Sequence, residues 1–160
     1  MKNKNKPEAG GMIYKNHLVM VGLMNIPSRP GVGGQLFSAV AEAGIHVELI
    51  VNVSDWEQRD HIVLCVDREQ LEPVVDMMQQ IQKEVGGESL IQNPDVALVS
   101  IFSTDMEDSH SVAGHMFKAL GDRDINIHGI STSVSTITCL IGAGDLEAAV
   151  AALREAFTLF

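Results

Sequence analysis

A glycine-rich turn is the first feature of the sequence that could do chemistry. The stretch PSRPGVGGQLFSAV, which starts at residue 27, places Gly31 and Gly33 directly before an apolar helical pattern. Backbone N–H groups at a helix N-terminus attract anions, and glycines let a ligand approach the backbone closely. Nucleotide loops need G-x-x-x-x-G-K-[ST] or G-x-G-x-x-G, whereas this stretch lacks the lysine and has leucine at position 36. The turn therefore indicates either a plain strand-to-helix connection or a site for a carboxylate.

The other residues whose side chains could take part in catalysis or metal binding do not form a recognisable site. Asp108, Ser109 and His110 resemble a hydrolytic triad, but neighbours in sequence rarely have triad geometry, and we interpret Asp108 or Ser109 as a helix cap. Cys65 and Cys139 lie in apolar runs, which is typical of small buried residues. The histidines do not show the spacing H-x-x-x-H, and the cysteines do not show the spacing C-x-x-C. They are His17, His46, His61, His110, His115 and His128. We predict no catalytic residue, no metal and no cofactor.

Composition narrows the class of protein further. The chain of 160 residues is 46% hydrophobic and 20% charged, which is enough apolar material for a packed core. The formal net charge is −10, and such a surface repels nucleic acid. No apolar run approaches the roughly 18 residues of a membrane span. The basic N-terminus has no apolar segment typical of a signal peptide, so we expect a cytoplasmic protein without nucleic-acid or membrane partners.

The helices and strands that would position these residues are predicted from an internal repeat. Displaced by 80 positions, residues 32–50 align with residues 112–130. Later the displacement falls to 75, and the difference lies near DWEQRD at residues 55–60, a segment that the second copy lacks. Length differences of this kind belong in loops. The matched pairs include Val32 with Val112, Gly34 with Gly114, Phe37 with Phe117, Ala39 with Ala119, Ile45 with Ile125 and Ile50 with Ile130.

Each copy has the order strand, helix, strand, strand, helix, strand. This order predicts an α+β fold of two ferredoxin-like βαββαβ units, with antiparallel sheets and helices on one face. We predict a flexible tail over residues 1–12, a first unit over 13–93 and a second unit over 94–160. Only residues 158–160 remain for the last strand of the second unit, so that strand is either truncated or exchanged between the units. The exposed sheet edges lead us to expect a homodimer.

The sequence resembles one family over residues 16–158. RPGVGGQLFSAVAEAGIHVELIVNVS is similar to the first ACT unit of the tandem ACT-domain regulatory region of aspartokinase. VALVSIF, HSVAGHMFKAL and INIHGISTS resemble the second unit, and LEAAVAALREAF resembles its closing helix. No part of the chain resembles the kinase domain. The resemblance implies a non-catalytic protein that binds lysine, threonine or both as a feedback effector.

The same resemblance implies where the effector would sit. In that family the effector lies between the first unit of one chain and the second unit of its partner. The turn after the first strand holds the amino-acid end of the effector, and Ser28 stands where the family has aspartate. Carried over to this sequence, the effector-binding residues are Ser28, Arg29, Pro30, Gly31, Val32, Gly33, Val51, Asn52, Asn126 and Ile127.

Two other interpretations stay open. Because Ser28 replaces the aspartate, the pocket could be vestigial and the chain an assembly or interaction module. A tandem-ACT regulator of the glycine-cleavage-repressor type would also fit the repeat. The partners expected from the sequence are a small amino-acid effector, a second copy of the chain, and a separate aspartokinase catalytic chain.

Overall fold

The computed structural model describes residues 6–103 and 109–160, and for residues 109 and 110 the backbone alone. The chain divides into two compact units. The first unit is His17–Asp95, and the second combines the chain up to Asn16 with Val96–Phe160. Asp108 lies outside the described residues, so the structure does not bear on a helix cap there.

The elements follow the predicted order. The strands are β1 (Glu8–Ala9), β2 (Gly11–Pro27), β3 (Val47–Ser54), β4 (Arg59–Asp67), β5 (Ser89–Phe102), β6 (Ile127–Thr132), β7 (Thr136–Gly142) and β8 (Thr158–Leu159). The helices are α1 (Val32–Glu42), α2 (Leu71–Val85), α3 (Ser109–Gly121) and α4 (Leu146–Ala156), with short 3-10 turns before α2 and α4.

In the first unit, β4 lies between β3 and β2 and is antiparallel to both. The start of β5 continues this sheet beside β2, where the Glu88 N–H donates to the Met24 carbonyl at 3.0 Å. Alternate strand residues such as Val21, Leu23 and Leu64 are fully buried and form one core with the apolar faces of α1 and α2. Period-2 strands against period-3.6 helices give this two-layer packing.

The second unit repeats the arrangement with β7 between β6 and β5. Its fourth strand is the beginning of β2, residues 11–16, which belong to this unit. The Gly10 N–H donates to the Phe102 carbonyl at 2.8 Å, and β1 pairs in parallel with β8. The missing last strand is therefore supplied from the N-terminus.

This exchange corrects the predicted tail for residues 8–12, which lie in or beside strands. Ala9 is fully buried in the core of the second unit, and burial of apolar surface together with strand pairing orders the segment. The expected boundary near residue 93 lies inside β5, which passes from one unit to the other. The prediction of an α+β fold built from ferredoxin-like units is confirmed.

Helix ends follow the usual sequence signals only in part. Gly44 adopts a left-handed conformation with φ of 65° just after α1, as expected of a glycine that ends a helix. Asp67 is a residue type that often caps helices, but its side chain makes no capping hydrogen bond and a 3-10 turn precedes α2. None of the helices in the described ranges is long and apolar enough to cross a bilayer.

Candidate functional site

The turn between β2 and α1 is open to solvent. The Val32 N–H donates to the Arg29 carbonyl at 3.5 Å, and the next two residues of the helix, Gly33 and Gly34, are exposed. Gly31 is the N-cap residue of α1 with φ of 99°, and no side-chain capping hydrogen bond forms at this helix end. A β-carbon built on Gly33 or Gly34 would meet nothing within 4 Å. The free N–H groups of a helix end and the positive end of the helix dipole favour an anion at such a position. The geometry therefore suits a carboxylate that approaches the backbone directly.

The flanking residues hold this turn against the first unit. Ser28, Arg29 and Pro30 are exposed, whereas Val32 is 2% exposed and belongs to the core. An Arg29 side-chain nitrogen donates to the Glu84 carbonyl at 3.4 Å, near the end of α2. A cation is favoured at a helix C-terminus. The guanidinium is therefore directed toward α2.

Strand β3 ends near this turn. Pro27 pairs with Arg59 and Ser54 pairs with Asp60, so the ends of β2 and β3 meet at one end of the sheet, across β4. Asn52 pairs with Ile62, a core residue. Side chains of directly opposed residues lie on the same face of a sheet. Asn52 is therefore on the helix-facing side, and its exposed amide lies at the same end as the turn.

The structure separates the predicted pair Val51 and Asn52. Successive residues of a strand point to opposite faces, so Val51, which pairs with Val63, lies on the face away from the helices. Ser54 and Asp60 lie on the same side as Asn52, and the Ser54 hydroxyl donates to the Asp60 carboxylate. Asp60 is 8% exposed, and among the described residues it is the one charged or polar residue that is buried. Sequence reasoning did not single out Asp60, although the length difference between the repeats points to the DWEQRD segment that contains it.

The β3–β4 hairpin carries a second polar cluster, made of Asp55 and His61. The Asp55 carboxylate accepts from the Glu57 N–H at 2.9 Å and from the Arg59 N–H at 3.0 Å. Its other oxygen lies 3.0 Å from His61 Nε2. The hydrogen bond with His61, followed by the one from the Arg59 backbone, lowers the pKa of Asp55 from its ordinary value of 3.8. The carboxylate is therefore held in its charged form.

Comparison with known proteins agrees with this architecture. A family model described as the ACT domain matches residues 99–157. An aspartokinase from Thermus thermophilus is 32% identical over 87% of this chain and 35% of the relative. The crystal structure of the regulatory subunit of aspartate kinase from Thermus thermophilus, in a ligand-free form, is 31% identical with a TM-score of 0.85. The match covers 94% of this chain and 99% of that one.

The chain belongs to the tandem ACT-domain regulatory family of aspartate kinase. A structure of aspartokinase alpha and beta subunits has a TM-score of 0.84 at 26% identity, covering 92% of this chain and 97% of that chain. The regulatory subunit from Thermus thermophilus is matched over nearly its whole length. The chain spans about a third of the length of the curated aspartokinase relatives that it matches.

The remaining residues expected in the effector site lie in the second unit of the regulatory chain. Asn126 is exposed and directly precedes β6, and Ile127 is the first residue of that strand. Ile125, the residue before them, is 5% exposed and packs in the core of the second unit. Burial of Ile125 fixes the chain here and leaves the Asn126 amide in solvent.

The cysteines are buried, and the potential metal ligands of the described residues are dispersed. Cys65 and Cys139 are buried and do not form a disulfide, and burial raises the pKa of Cys139 to about 12. No cluster of three or more potential metal ligands occurs within residues 6–103 and 109–160. The predicted burial of both cysteines is confirmed.

A large surface groove lies in the second unit. It has a volume of about 710 Å³ and is lined by Tyr14, Glu147 and Arg154 among others. These three side chains are exposed, and the groove contains none of the residues expected to bind the effector. We therefore assign the candidate site from the backbone geometry of the turn rather than from cavity size.

Proposed function

We propose that this chain is an amino-acid-binding allosteric regulator of aspartate kinase. The observation that carries the proposal is the exposed N-terminus of α1 after Gly31, where Gly33 and Gly34 have open space around them and no side chain over their N–H groups. An α-carboxylate would accept hydrogen bonds from these N–H groups and interact favourably with the helix dipole. The effector would be lysine, threonine or a related amino acid.

The effector ammonium needs oxygen atoms and a negative charge nearby. The Ser28 hydroxyl and the Asn52 amide oxygen could accept from it, since both side chains are exposed at this end of the sheet. Where the family has an aspartate in the turn, this chain has Ser28, so a charge must come from elsewhere. Asp60, on the helix-facing side beside Ser54, supplies it in our proposal. Charge-assisted hydrogen bonds are about twice as strong as neutral ones.

The site would be completed by a second copy of the chain. Asn126 and Ile127 of the partner's second unit would cover the effector, and the exposed Asn126 amide fits a role in polar contact. A separate catalytic chain would receive the regulatory signal. The existence of a relative built from alpha and beta subunits supports a division of this kind.

Thermal unfolding with and without each of the twenty amino acids tests the proposal. At 100 times its dissociation constant, a ligand that binds only the folded state adds ~2.7 kcal/mol of stability. Gly33→Val should abolish the shift because its side chain would fill the open approach to the helix N-terminus. Gly114→Val is the matched control, because Gly114 is also a helical glycine at which an added β-carbon would meet nothing within 4 Å.

A different outcome would favour the assembly interpretation. If no amino acid raises the unfolding temperature while sedimentation shows a stable dimer, the chain is an interaction module with a vestigial pocket. A shift that Gly33→Val and Gly114→Val both retain would move the binding site away from the α1 turn.

A further inference from the structure

We propose that Asp55 and His61 position the effector turn of the first unit. The inference rests on the proposed function, because it assigns a supporting role at the same site. Neither residue would touch the effector. Both lie in or directly beside the segment of residues 55–60 that distinguishes the first repeat from the second.

The Asp55 carboxylate organises the hairpin from within. It accepts hydrogen bonds from the Glu57 and Arg59 N–H groups and from His61 Nε2–H. The Asp55 N–H in turn donates to the Arg59 carbonyl at 2.8 Å. Gln58 completes the connection with a left-handed φ of 61°. Side-chain acceptance of nearby backbone N–H groups is a general way for aspartate to hold a turn.

His61 connects this hairpin to β2. The Asn25 N–H donates to His61 Nδ1 at 3.3 Å, so the ring must accept at Nδ1, and its Nε2–H donates to Asp55. Asn25 has a left-handed φ of 55° within an irregularity of the β2–β4 pairing between Leu23 and Ile26. The histidine thus satisfies a backbone donor that the irregular strand cannot pair in the regular ladder.

A second bond reaches the turn itself. The Ser28 N–H donates to the Gln58 carbonyl at 2.9 Å. Asn25 and Ser28 are therefore both held by the hairpin, and they bracket the last residues of β2 shortly before Gly31. Fixing the chain on this side limits the directions in which the donors at the α1 N-terminus can point.

The second unit provides an internal comparison. There the Ser103 N–H donates to the Ser135 carbonyl at 2.8 Å, which corresponds to the bond between Ser28 and Gln58. The connection between β6 and β7 is closed by the Ser133 N–H and the Thr136 carbonyl at 2.8 Å. It is shorter and holds no aspartate or histidine. The fold thus needs only the backbone link, and the Asp55–His61 pair is an addition to the first unit.

The expected effect is on ligand affinity through pre-organisation. Without the pair, the Asn25 N–H loses its acceptor and the turn samples more conformations, which a bound ligand must then restrict. Removing such support weakens binding, here by roughly tenfold. Asp55→Asn keeps the size of the side chain but removes the charge, and His61→Phe keeps a ring but removes both hydrogen bonds.

Hydrogen exchange of backbone amides, measured by NMR on the whole chain, tests the inference without any ligand. Both variants should raise exchange by at least about tenfold at Asn25 and Ser28 and at Gln35, whose N–H donates to the Gly31 carbonyl at 2.9 Å and closes the first turn of α1, while the strands of the second unit keep their protection. Glu57→Gln is the matched control, since it makes the same charge change at an exposed position of the same hairpin. Equal exchange in Asp55→Asn and Glu57→Gln would overturn the inference.

A parallel titration with lysine and with threonine separates this inference from the proposed function. Binding is measured by isothermal titration calorimetry, and the fluorescence of Trp56, the single tryptophan of the chain, reports on the hairpin in which it lies. If the wild-type chain binds either amino acid, Asp55→Asn should bind it more weakly and Glu57→Gln equally well, and equal binding by Asp55→Asn would refute the positioning role. If the wild type binds neither while exchange still rises in Asp55→Asn, lysine and threonine are excluded as effectors and the positioning of the turn is supported.

Discussion

The left-handed conformation of Gly31 provides the sharpest test of the turn geometry. In Gly31→Ala the new β-carbon would meet nothing within 4 Å, so steric contact with neighbours does not contribute. The cost comes from the backbone, because φ is 99° and an alanine in the left-handed region loses about 1–2 kcal/mol. The lower entropy of the unfolded alanine chain offsets about 0.4–1 kcal/mol. We therefore expect a net destabilisation of about 1 kcal/mol.

Gly34→Ala is the matched control for this prediction. It makes the same chemical change in the first turn of α1, also without a neighbour within 4 Å, but Gly34 does not have a positive φ. Alanine is favoured over glycine within a helix by up to about 1 kcal/mol, so this variant should be as stable as the wild type or more stable.

Urea unfolding followed by circular dichroism measures both variants. With the slope of the unfolding free energy unchanged, the midpoint should fall for Gly31→Ala and stay or rise for Gly34→Ala. In a thermal scan, about 1 kcal/mol corresponds to about 2–4 °C for a chain of this length. A Gly31→Ala protein that is as stable as Gly34→Ala would refute the left-handed turn and, with it, the accessible donors on which the proposed site depends.

Other substitutions test the exchange of the N-terminal strand, the hairpin carboxylate and the buried thiols. Ala9→Asp would bury a charge in the core of the second unit, where Ala9 is fully buried, so the variant should lose at least several kcal/mol of stability in urea unfolding; Ala9→Gly should lose far less. Because the pKa of Asp55 is lower in the folded chain than its ordinary value of 3.8, its contribution to stability is present above that value and is lost as the pH falls through the folded pKa. Acid titration by circular dichroism should accordingly show a weaker loss of stability below about pH 4 for Asp55→Asn than for the wild type, and identical acid profiles would contradict this. Cys139 is fully buried with a pKa of about 12, so a thiol reagent should modify it at about pH 8 only after urea unfolding; rapid modification of the folded chain would show that the site opens.

The repeat made much of the fold predictable. Matching apolar positions in two copies predict the order of elements, and Val32, Leu36 and Val40 are buried along α1 as their spacing indicates. The apolar pattern also includes Phe37, which is 43% exposed. It is the residue after Leu36, and a step of one residue turns a helix by about 100°. A list of apolar residues therefore overstates the buried face when two neighbours are both included.

The candidate site was predictable only where it is local. The turn from Ser28 to Gly33 is continuous in sequence, and its glycines point to an accessible helix N-terminus without any tertiary information. The facing strand is a tertiary feature: the predicted site includes both Val51 and Asn52, and the pleat sends them to opposite faces. The hydrogen bonds from Ser54 to Asp60 and from Asn25 to His61 could not be predicted from the sequence, because each joins residues on neighbouring strands.

The sequence by itself determined which elements form and in which order, because side-chain periodicity, helix-ending glycines and repeated spacing act over a few residues at a time. Tertiary structure alone decided where the last strand of the second unit comes from. Residues 11–16 supply it, while Ala9 enters the same core, and pairing between segments so distant in sequence leaves no local pattern. The same reason applies to the bonds from Asn25 to His61 and from Ser28 to Gln58: they depend on strand register, which is set when the sheet packs against its helices.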